Sequence, residues 1–451
     1  MAICHACSAP GPPKSAEGRL TVTIDTVDTE PYWWQDAPRP ASDGARHPPK
    51  DVDVVVVGSG YTGLSAALTL ARAGRSVLVL DRAQIGAGAS TRNAGMMSGN
   101  LKPTLSALSR RFGSSTALAM YAEAATAREY LHHLIDAEGI DCDRTECGRL
   151  TPATSRRHYD TLAREAEALA TKLGLETYAV SKTLQHQEID SDHYHGVIVN
   201  QAVWSFQPAR YHQGLLECVI SAGVTVIDQT EVTGVDSSGE QVLVETAKQQ
   251  IRCRQVMIAT NGYTTPGLRW WQHRVVPIQG RMLATREVSG NLIRQLLPKG
   301  RVVVESNRLF HYFRPSPDGR RLLVGGRYTG RLARGQGESA IRNHLARVFP
   351  ALGEVALEFD WHGYTAFTRD LLPHLGSADR VHYAMGFCGS GTVWGTWLGH
   401  QCALKILGST DANTLFDRSL PGIPFYRGKP WFLPPAMGWF RFRDALDRWS
   451  D

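Results

Sequence analysis

Three glycines, Gly58, Gly60 and Gly63, follow the uninterrupted apolar run DVDVVVV and precede a helical pattern through Leu64, Ala67, Leu68 and Leu70. In that setting the first glycine permits a tight turn and the second lets a pyrophosphate approach the backbone. The third draws helix and strand together, and the helix N-terminus presents oriented N–H groups to phosphate. Ser59, Tyr61 and Thr62 complete the loop. Asp81 closes the next strand-like run, RSVLVLD, 18 residues beyond Gly63, where a carboxylate accepts hydrogen bonds from a ribose. The chemistry this pattern serves is dinucleotide binding.

The other GxG strings, at 86–88, 335–337 and 389–391, lack the strand–loop–helix order. One dinucleotide site with a large β-rich insert favours FAD; a plain NAD dehydrogenase is the alternative on the loop alone. Two further segments suit a flavin. ASTRNAG, from Ala89 to Gly95, surrounds Arg92 and Asn93 with small residues, so the chain can lie against a cofactor. GFCGSG, from Gly386 to Gly391, runs into a helical stretch at 392–407. Gly389 and Gly391 allow close backbone approach, and Ser390 and Thr392 can donate. A helix N-terminus there would favour the negative charge of a reduced flavin. An ordinary glycine turn is the bland reading of the same string.

These segments need elements to position them. DVDVVVV reads as a parallel strand buried on both faces. Helical patterns cover 104–138, 156–173 and 208–223, and strand-like runs at 224–235, 241–247 and 255–262 return to the same sheet. Residues 275–285 and 301–327 alternate as strands and include the hairpin-like FRPSPDGRRLLVGG, which predicts a second, antiparallel sheet. The expected class is α/β with an α+β insert: a Rossmann-like FAD-binding domain interleaved with an antiparallel β-sheet substrate domain. The division is 1–50 as an irregular N-terminal extension, then 51–105, 150–180, 208–262 and 365–410 as the FAD-binding domain. Segments 106–149, 181–207 and 263–364 form the substrate domain, and 411–451 is a C-terminal tail packed on the body.

Composition narrows the function classes. The net charge of +6 is spread along the chain rather than gathered in a block, which argues against nucleic acid and suits an anionic ligand. No run of eighteen apolar residues occurs, so no transmembrane segment is expected, and the N-terminus lacks a secretory apolar core. Eight cysteines in 451 residues read as reduced thiols of a cytoplasmic protein. The Cys4–Cys7 CxxC has no second pair at zinc spacing, and DSDHYHG, with Asp190, Asp192, His193 and His195, reads as a turn before a strand rather than a metal site. No metal is expected.

Taken together, VDVVVVGSGYTGLSAALTLARAG, GAGASTRNAGMMSG, QPARYHQGL, VMIATNGYT, VVPIQGRMLAT, YFRPSPDGRRLLVGGR, GYTAFTRDLLPHLG, MGFCGSGTVWGTWLG and PFYRGKPWF resemble the FAD-dependent D-amino acid oxidase, glycine oxidase and sarcosine oxidase superfamily. The gamma-glutamylputrescine oxidase and L-pipecolate oxidase types within it are the most similar. The resemblance runs from about Tyr32 to about Trp431. It implies that Gly58 to Gly63 with Asp81 and Arg82 hold the ADP half, and that Ala89, Ser90, Thr91, Arg92, Asn93, Gly95 and Met96 pass beside the ring. It also places Val232 by the adenine, Ala259, Thr260, Asn261 and Gly262 over the ADP, and Gly386, Phe387, Gly389, Ser390, Gly391, Thr392 and Val393 at the pyrimidine end.

The implied reaction is oxidation of the C–N bond of a small amine or amino acid, with oxygen or another electron acceptor. Arg92, Tyr312, Arg314, Arg327 and Ser390 are the candidate catalytic or substrate-binding residues, each arginine having a salt-bridge reading beside it. Two departures matter. The cysteine that carries covalent flavin in monomeric sarcosine oxidase aligns near Gly363, so non-covalent FAD is expected. The lysine that promotes oxygen reactivity there falls near Leu323, which keeps a dehydrogenase with another acceptor open. A hydroxy-acid dehydrogenase on the same fold is the alternative enzyme. The C-terminal WFLPPAMGWFRFRDALDRW suits a tail packed across its own domain, or contact with a membrane surface or a quinone-bearing partner.

Overall fold

A computed structural model describes residues 27–42, 47–327 and 336–449. DVDVVVV forms the strand Asp51–Val57, and its side chains alternate between two cores. Val54 and Val56 bury against helices on one side, Val55 and Val57 against the second layer on the other. That double burial is why the run shows no polar alternation. Val77–Leu80 and Gln250–Ile258 flank it in parallel, with Thr225–Ile227 and Val381–Met385 beyond them. The hairpin Val232–Asp236 with Val242–Thr246, and the antiparallel strand His374–Ala378, complete a first sheet of eight strands. Helices Tyr61–Arg72, Ser114–Ala137, Pro208–Ser221 and Gly391–Leu407 cover one face through Leu64, Leu131, Leu215 and Trp394.

The second sheet also has eight strands, in the order Leu357–Phe367, Val276–Thr285, Leu322–Arg327, His311–Pro315, Val302–Val304, Arg149–Pro152, Val197–Asn200, Thr177–Val180. Its pairs are antiparallel except Val302–Val304 with Arg149–Pro152. Leu150, Val303, Phe313, Val324 and Leu283 fill a core on one face. The alternate residues Thr151, Val304, Tyr312 and Met282 face the other way, toward a cavity.

Three expectations are corrected here. Segment 150–180 was assigned to the cofactor unit, yet its strands pair in the second sheet, because Leu150 joins Val199 and Val303 in that core. Segment 106–149 was assigned to the substrate unit, yet Leu108, Met120 and Leu131 pack in the core of the first sheet. The single helical stretch expected at 104–138 is broken at Gly113, whose φ of 85° ends Leu105–Phe112 and starts Ser114–Ala137 at a new angle.

Near the N-terminus, Tyr32–Trp34 forms a short 3-10 turn with all three rings buried against the second sheet. In DSDHYHG, Asp190 and Asp192 take the two ring nitrogens of His186 at 3.0 and 3.1 Å, and the segment turns into Val197–Asn200 as expected. The helix Leu433–Trp449 is fixed to the body through Asp444 and Asp447, both of which bind Arg308. No helix among the described residues is long and apolar enough to cross a membrane. The CxxC at Cys4 and Cys7 lies outside the described residues.

Candidate active site

A cavity of about 660 Å³ opens between the two sheets. Its first wall is the glycine loop. Gly58 adopts φ 111°, and a side chain at Gly63 would collide with the Gly58 carbonyl, so this residue packs helix on strand and does not line the cavity. A Cβ at Gly60 would sit 2.9 Å from Ser90 Oγ. Ser59, Gly60, Tyr61 and Thr62 expose the start of the helix Tyr61–Arg72 to the cavity. Asp81 also lines it. Its Oδ2 accepts from Ser59 N at 2.9 Å and Ser59 Oγ at 2.7 Å, and its Oδ1 accepts from Ala83 N at 3.0 Å. A carboxylate has about four acceptor positions, so one is left for a ribose hydroxyl beside Arg82. Val232, Ala259, Thr260 and Asn261 complete this end.

ASTRNAG forms the second wall. Asn93 folds the loop on itself, donating to Ser90 O at 2.8 Å and accepting from Gly95 N at 2.8 Å. Two buried indoles pin its carbonyls from outside: Trp33 Nε1 donates to Asn93 O at 2.8 Å and Trp361 Nε1 to Arg92 O at 3.0 Å. Arg92 lines the cavity, but its Nε donates to Ala87 O at 2.8 Å and its Nη1 to His362 O at 3.2 Å. Its guanidinium lies 4.6 Å from the Trp34 ring centre, and burial lowers its pKa. The geometry makes it first a loop tie.

The third wall is the N-terminus of Gly391–Leu407, with Phe387, Cys388, Gly389, Ser390, Gly391 and Thr392 facing the cavity. Free N–H groups of that first turn supply the partial positive charge expected from sequence. Ser390 Oγ donates to Asn100 O at 2.8 Å, tying this helix start to the loop opposite.

Several other expected contacts are structural. Thr91 is buried and donates to Gly86 O; Gly95 abuts Phe206 O and Arg314; Gly262 packs on the Tyr364–Thr365 backbone. Gly386 donates to Asn261 Oδ1 at 3.0 Å, and Val393 lies in the core. None of these five, nor Gly63, lines the cavity.

Arg314 is the clearest correction among the catalytic candidates. It is buried away from the cavity, where Nη1 donates to Gly95 O at 2.6 Å and Phe206 O at 2.8 Å, and Nε to Pro315 O at 3.0 Å. It ties the second sheet to the loop ending at Gly95 and to the backbone at Phe206. Arg314→Met removes three hydrogen bonds to carbonyls, at about 0.5–1.5 kcal/mol net each, while Gly95 O keeps the Phe206 N–H at 3.1 Å. Chemical denaturation is therefore expected to show a loss of roughly 2–5 kcal/mol, with turnover by the folded fraction nearly unchanged. Tyr312 does line the cavity, opposite Val304 in the sheet. Arg327 pairs its backbone with Gly280, and its side chain lies outside the described residues.

Sequence reasoning missed the substrate-side floor. Arg149, Thr151, Ser306, Asn307 and Phe310 line the cavity with Asn100 and Lys102. Arg149 stands out: its Nε is buried without a hydrogen-bond partner, and among the described residues no carboxylate pairs with it. Burial pushes its pKa down to about 10, and the neighbouring Arg128 pushes the same way. A buried, uncompensated cation is costly unless a ligand supplies the anion.

Beside this floor, Glu305 is buried and accepts from Tyr194 Oη at 2.7 Å, His311 N at 3.0 Å and His311 Nδ1 at 3.2 Å, while His344 Nε2 lies 2.8 Å away as an ion-pair contact without hydrogen-bond alignment. Glu305, His311 and His344 are close enough to hold an ion, yet these donors already surround the carboxylate. Burial opposes the charge on Glu305, but the two histidines outweigh it and keep its pKa well below 4.5. A depressed carboxylate stabilises the fold above its unfolded pKa and ceases to do so as pH falls through the folded value. Urea midpoints measured below pH about 4.5 are therefore expected to fall less steeply with acid in Glu305→Gln than in the wild type.

A model of the FAD dependent oxidoreductase family (DAO) matches residues 53–403, a stretch that carries the glycine loop, Asp81, the pinned loop and the helix N-terminus around one cavity. The chain belongs to the FAD-dependent oxidoreductase family. FAD is accordingly the dinucleotide of this oxidoreductase, and the residues fit it: a phosphate-sized cradle at Gly58–Thr62, a carboxylate at Asp81, and a helix N-terminus at the far wall. The oxidoreductase is 29% identical over 402 residues to gamma-glutamylputrescine oxidoreductase of Escherichia coli (strain K12), covering 87% of this chain and 93% of that protein. It is 24% identical to glycine oxidase of Pseudomonas aeruginosa over 72% of this chain and 85% of the relative. Among solved structures, glycine oxidase from Geobacillus kaustophilus superimposes with a TM-score of 0.68 at 22% identity, covering 82% of this chain and 97% of that one. The fold is thus that of the glycine oxidases.

Proposed function

We propose that this flavoprotein oxidises the C–N bond of a small amine that also carries a carboxylate. The observation that carries the reading is Arg149, an unpartnered cation in the wall of a cavity that otherwise holds the FAD residues. The names of the relatives, an oxidoreductase of gamma-glutamylputrescine and a glycine oxidase, fit a substrate with both groups.

When bound, FAD would supply the electron sink for a hydride lost from the carbon next to nitrogen. Gly58, Ser59, Gly60, Tyr61 and Thr62 would hold its pyrophosphate, Asp81 and Arg82 its ribose, and Val232 its adenine. Ala89, Ser90, Arg92 and Asn93 would lie along the ring and ribityl chain, and Gly389 to Thr392 would face the charge of the reduced state. Gly363 offers no sulfur, and Cys388 turns its Sγ to Gly386 O at 3.1 Å, so FAD is held non-covalently. Arg149 receives the substrate carboxylate, while Phe310 and Tyr312 form an apolar wall that limits water around the reacting carbon. No residue is assigned as a proton-abstracting base; a neutral amine needs none, and the imine leaves for hydrolysis in water.

The test is an anaerobic titration of the yellow holoprotein with amines, amino acids and hydroxy acids, each carboxylate paired with its descarboxy analogue. Carboxylate-bearing amines are expected to bleach the oxidised flavin. Bleaching by hydroxy acids alone, or by no amine, would overturn the reading.

A further inference from the structure

Exposed large apolar side chains concentrate at the C-terminus. Phe425 is 91% exposed, Trp431 62%, Trp439 55% and Phe442 54%, with Phe440 and Leu446 beside them. Single exposed apolar residues need no explanation, but clustered ones mark a contact surface: Trp431 Nε1 reaches Phe425 O at 3.4 Å, and the Trp439 and Phe442 rings lie 5.8 Å apart. Between 425 and 443 the sequence holds Arg427, Lys429, Arg441 and Arg443 and no carboxylate at all. The acids of this region begin at Asp444, and Asp444 and Asp447 both turn inward to Arg308. The helix Leu433–Trp449 therefore separates its charges by face: acids into the body, aromatics and cations outward.

We infer that this face, from Phe425 to Leu446, docks the protein on an anionic lipid surface. Interfacial helices combine such a basic rim with Trp and Phe that enter the headgroup layer, and each cation near an anionic leaflet adds attraction. A second copy of this chain is a poor fit by comparison. A two-fold contact would set the same four cations against one another, with no carboxylate between 425 and 443 to pair them. The docked face also adjoins the cavity. Asp444 accepts from Arg308 N at 3.2 Å and Leu309 N at 3.1 Å, and so holds the loop whose Ser306, Asn307 and Phe310 line the substrate side. One helix diameter, about 10 Å, then separates that loop from the lipid.

The experiment is flotation of the FAD-loaded protein with vesicles of phosphatidylcholine mixed with phosphatidylglycerol, against pure phosphatidylcholine. The mixed vesicles are expected to carry the protein and to release it in high salt, and the neutral ones to leave it behind. Arg441→Glu with Arg443→Glu, and separately Trp439→Ser with Phe442→Ser, should each lower the bound fraction at least roughly tenfold. Both must keep the wild-type flavin spectrum, which shows that the fold survives. Equal flotation of wild type and variants, or none with the mixed vesicles, overturns the inference. So does a dimer in sedimentation velocity that the same substitutions split, which would make the face a contact between copies. The readout needs no turnover, so it stands or falls apart from the substrate proposal.

Discussion

Gly60→Val protein is expected to elute colourless. The glycine sits where the loop turns into the helix Tyr61–Arg72, and even a Cβ there would press on Ser90 Oγ at 2.9 Å. A branched side chain must also occupy the space into which a pyrophosphate would otherwise approach the backbone. Overpacking of this kind costs about 1–3 kcal/mol, and phosphate hydrogen bonds lost with it add a similar amount. Together they predict a fall in FAD affinity of at least roughly a hundredfold. The measurement is flavin absorbance per protein after gel filtration, with far-UV circular dichroism to show that the fold persists. A yellow, fully loaded Gly60→Val protein would remove the loop from the cofactor site.

The second large effect concerns Arg149. Replacing it with methionine should lower kcat/KM for a carboxylate-bearing amine by roughly 10- to 150-fold, the worth of a charge-assisted hydrogen bond. The matched amine without a carboxylate should change by less than about threefold. Stability should hold or rise, because the substitution removes a half-buried cation whose Nε has no protein partner. That combination separates a binding role from a structural one. Arg314→Met is its mirror image, with stability lost and substrate preference kept. An equal loss on both substrates at Arg149 would count against the carboxylate reading.

The cofactor half of the site was legible because its meaning is local. The loop from Gly58 to Gly63, the strand before it and the acid at Asp81 lie within one strand–helix–strand unit, where spacing alone dictates geometry. The substrate half was not. Arg149 takes its proposed role from the strand Val302–Val304 beside it, more than a hundred residues away in sequence, and from having no paired carboxylate among the described residues. Neither is visible in GRLTP. Arg314 failed for the opposite reason: an arginine on a substrate-domain strand looked available, yet carbonyls of Gly95 and Phe206 consume it. Ser390 stands at the start of the helix Gly391–Leu407, and its contact with Asn100 O, 290 residues away, is not visible in GFCGSG. The domain boundaries slipped where short strands, too small to carry a core alone, joined whichever sheet buried them.

The loop carrying Arg92 and Asn93 is pinned by Trp33 from the first tenth of the chain and by Trp361 from the last quarter. A ribosome therefore releases the glycine loop and Asp81 long before it releases the second indole. The nascent nucleotide-binding segment has its cradle but an unfastened wall, and the last helix of the site, Gly391–Leu407, follows later still. The cavity that fits FAD is complete only once residues up to Thr392 are in place, and contacts of such long sequence separation form slowly. Flavin added during refolding should accelerate the final phase and leave the earliest ones untouched.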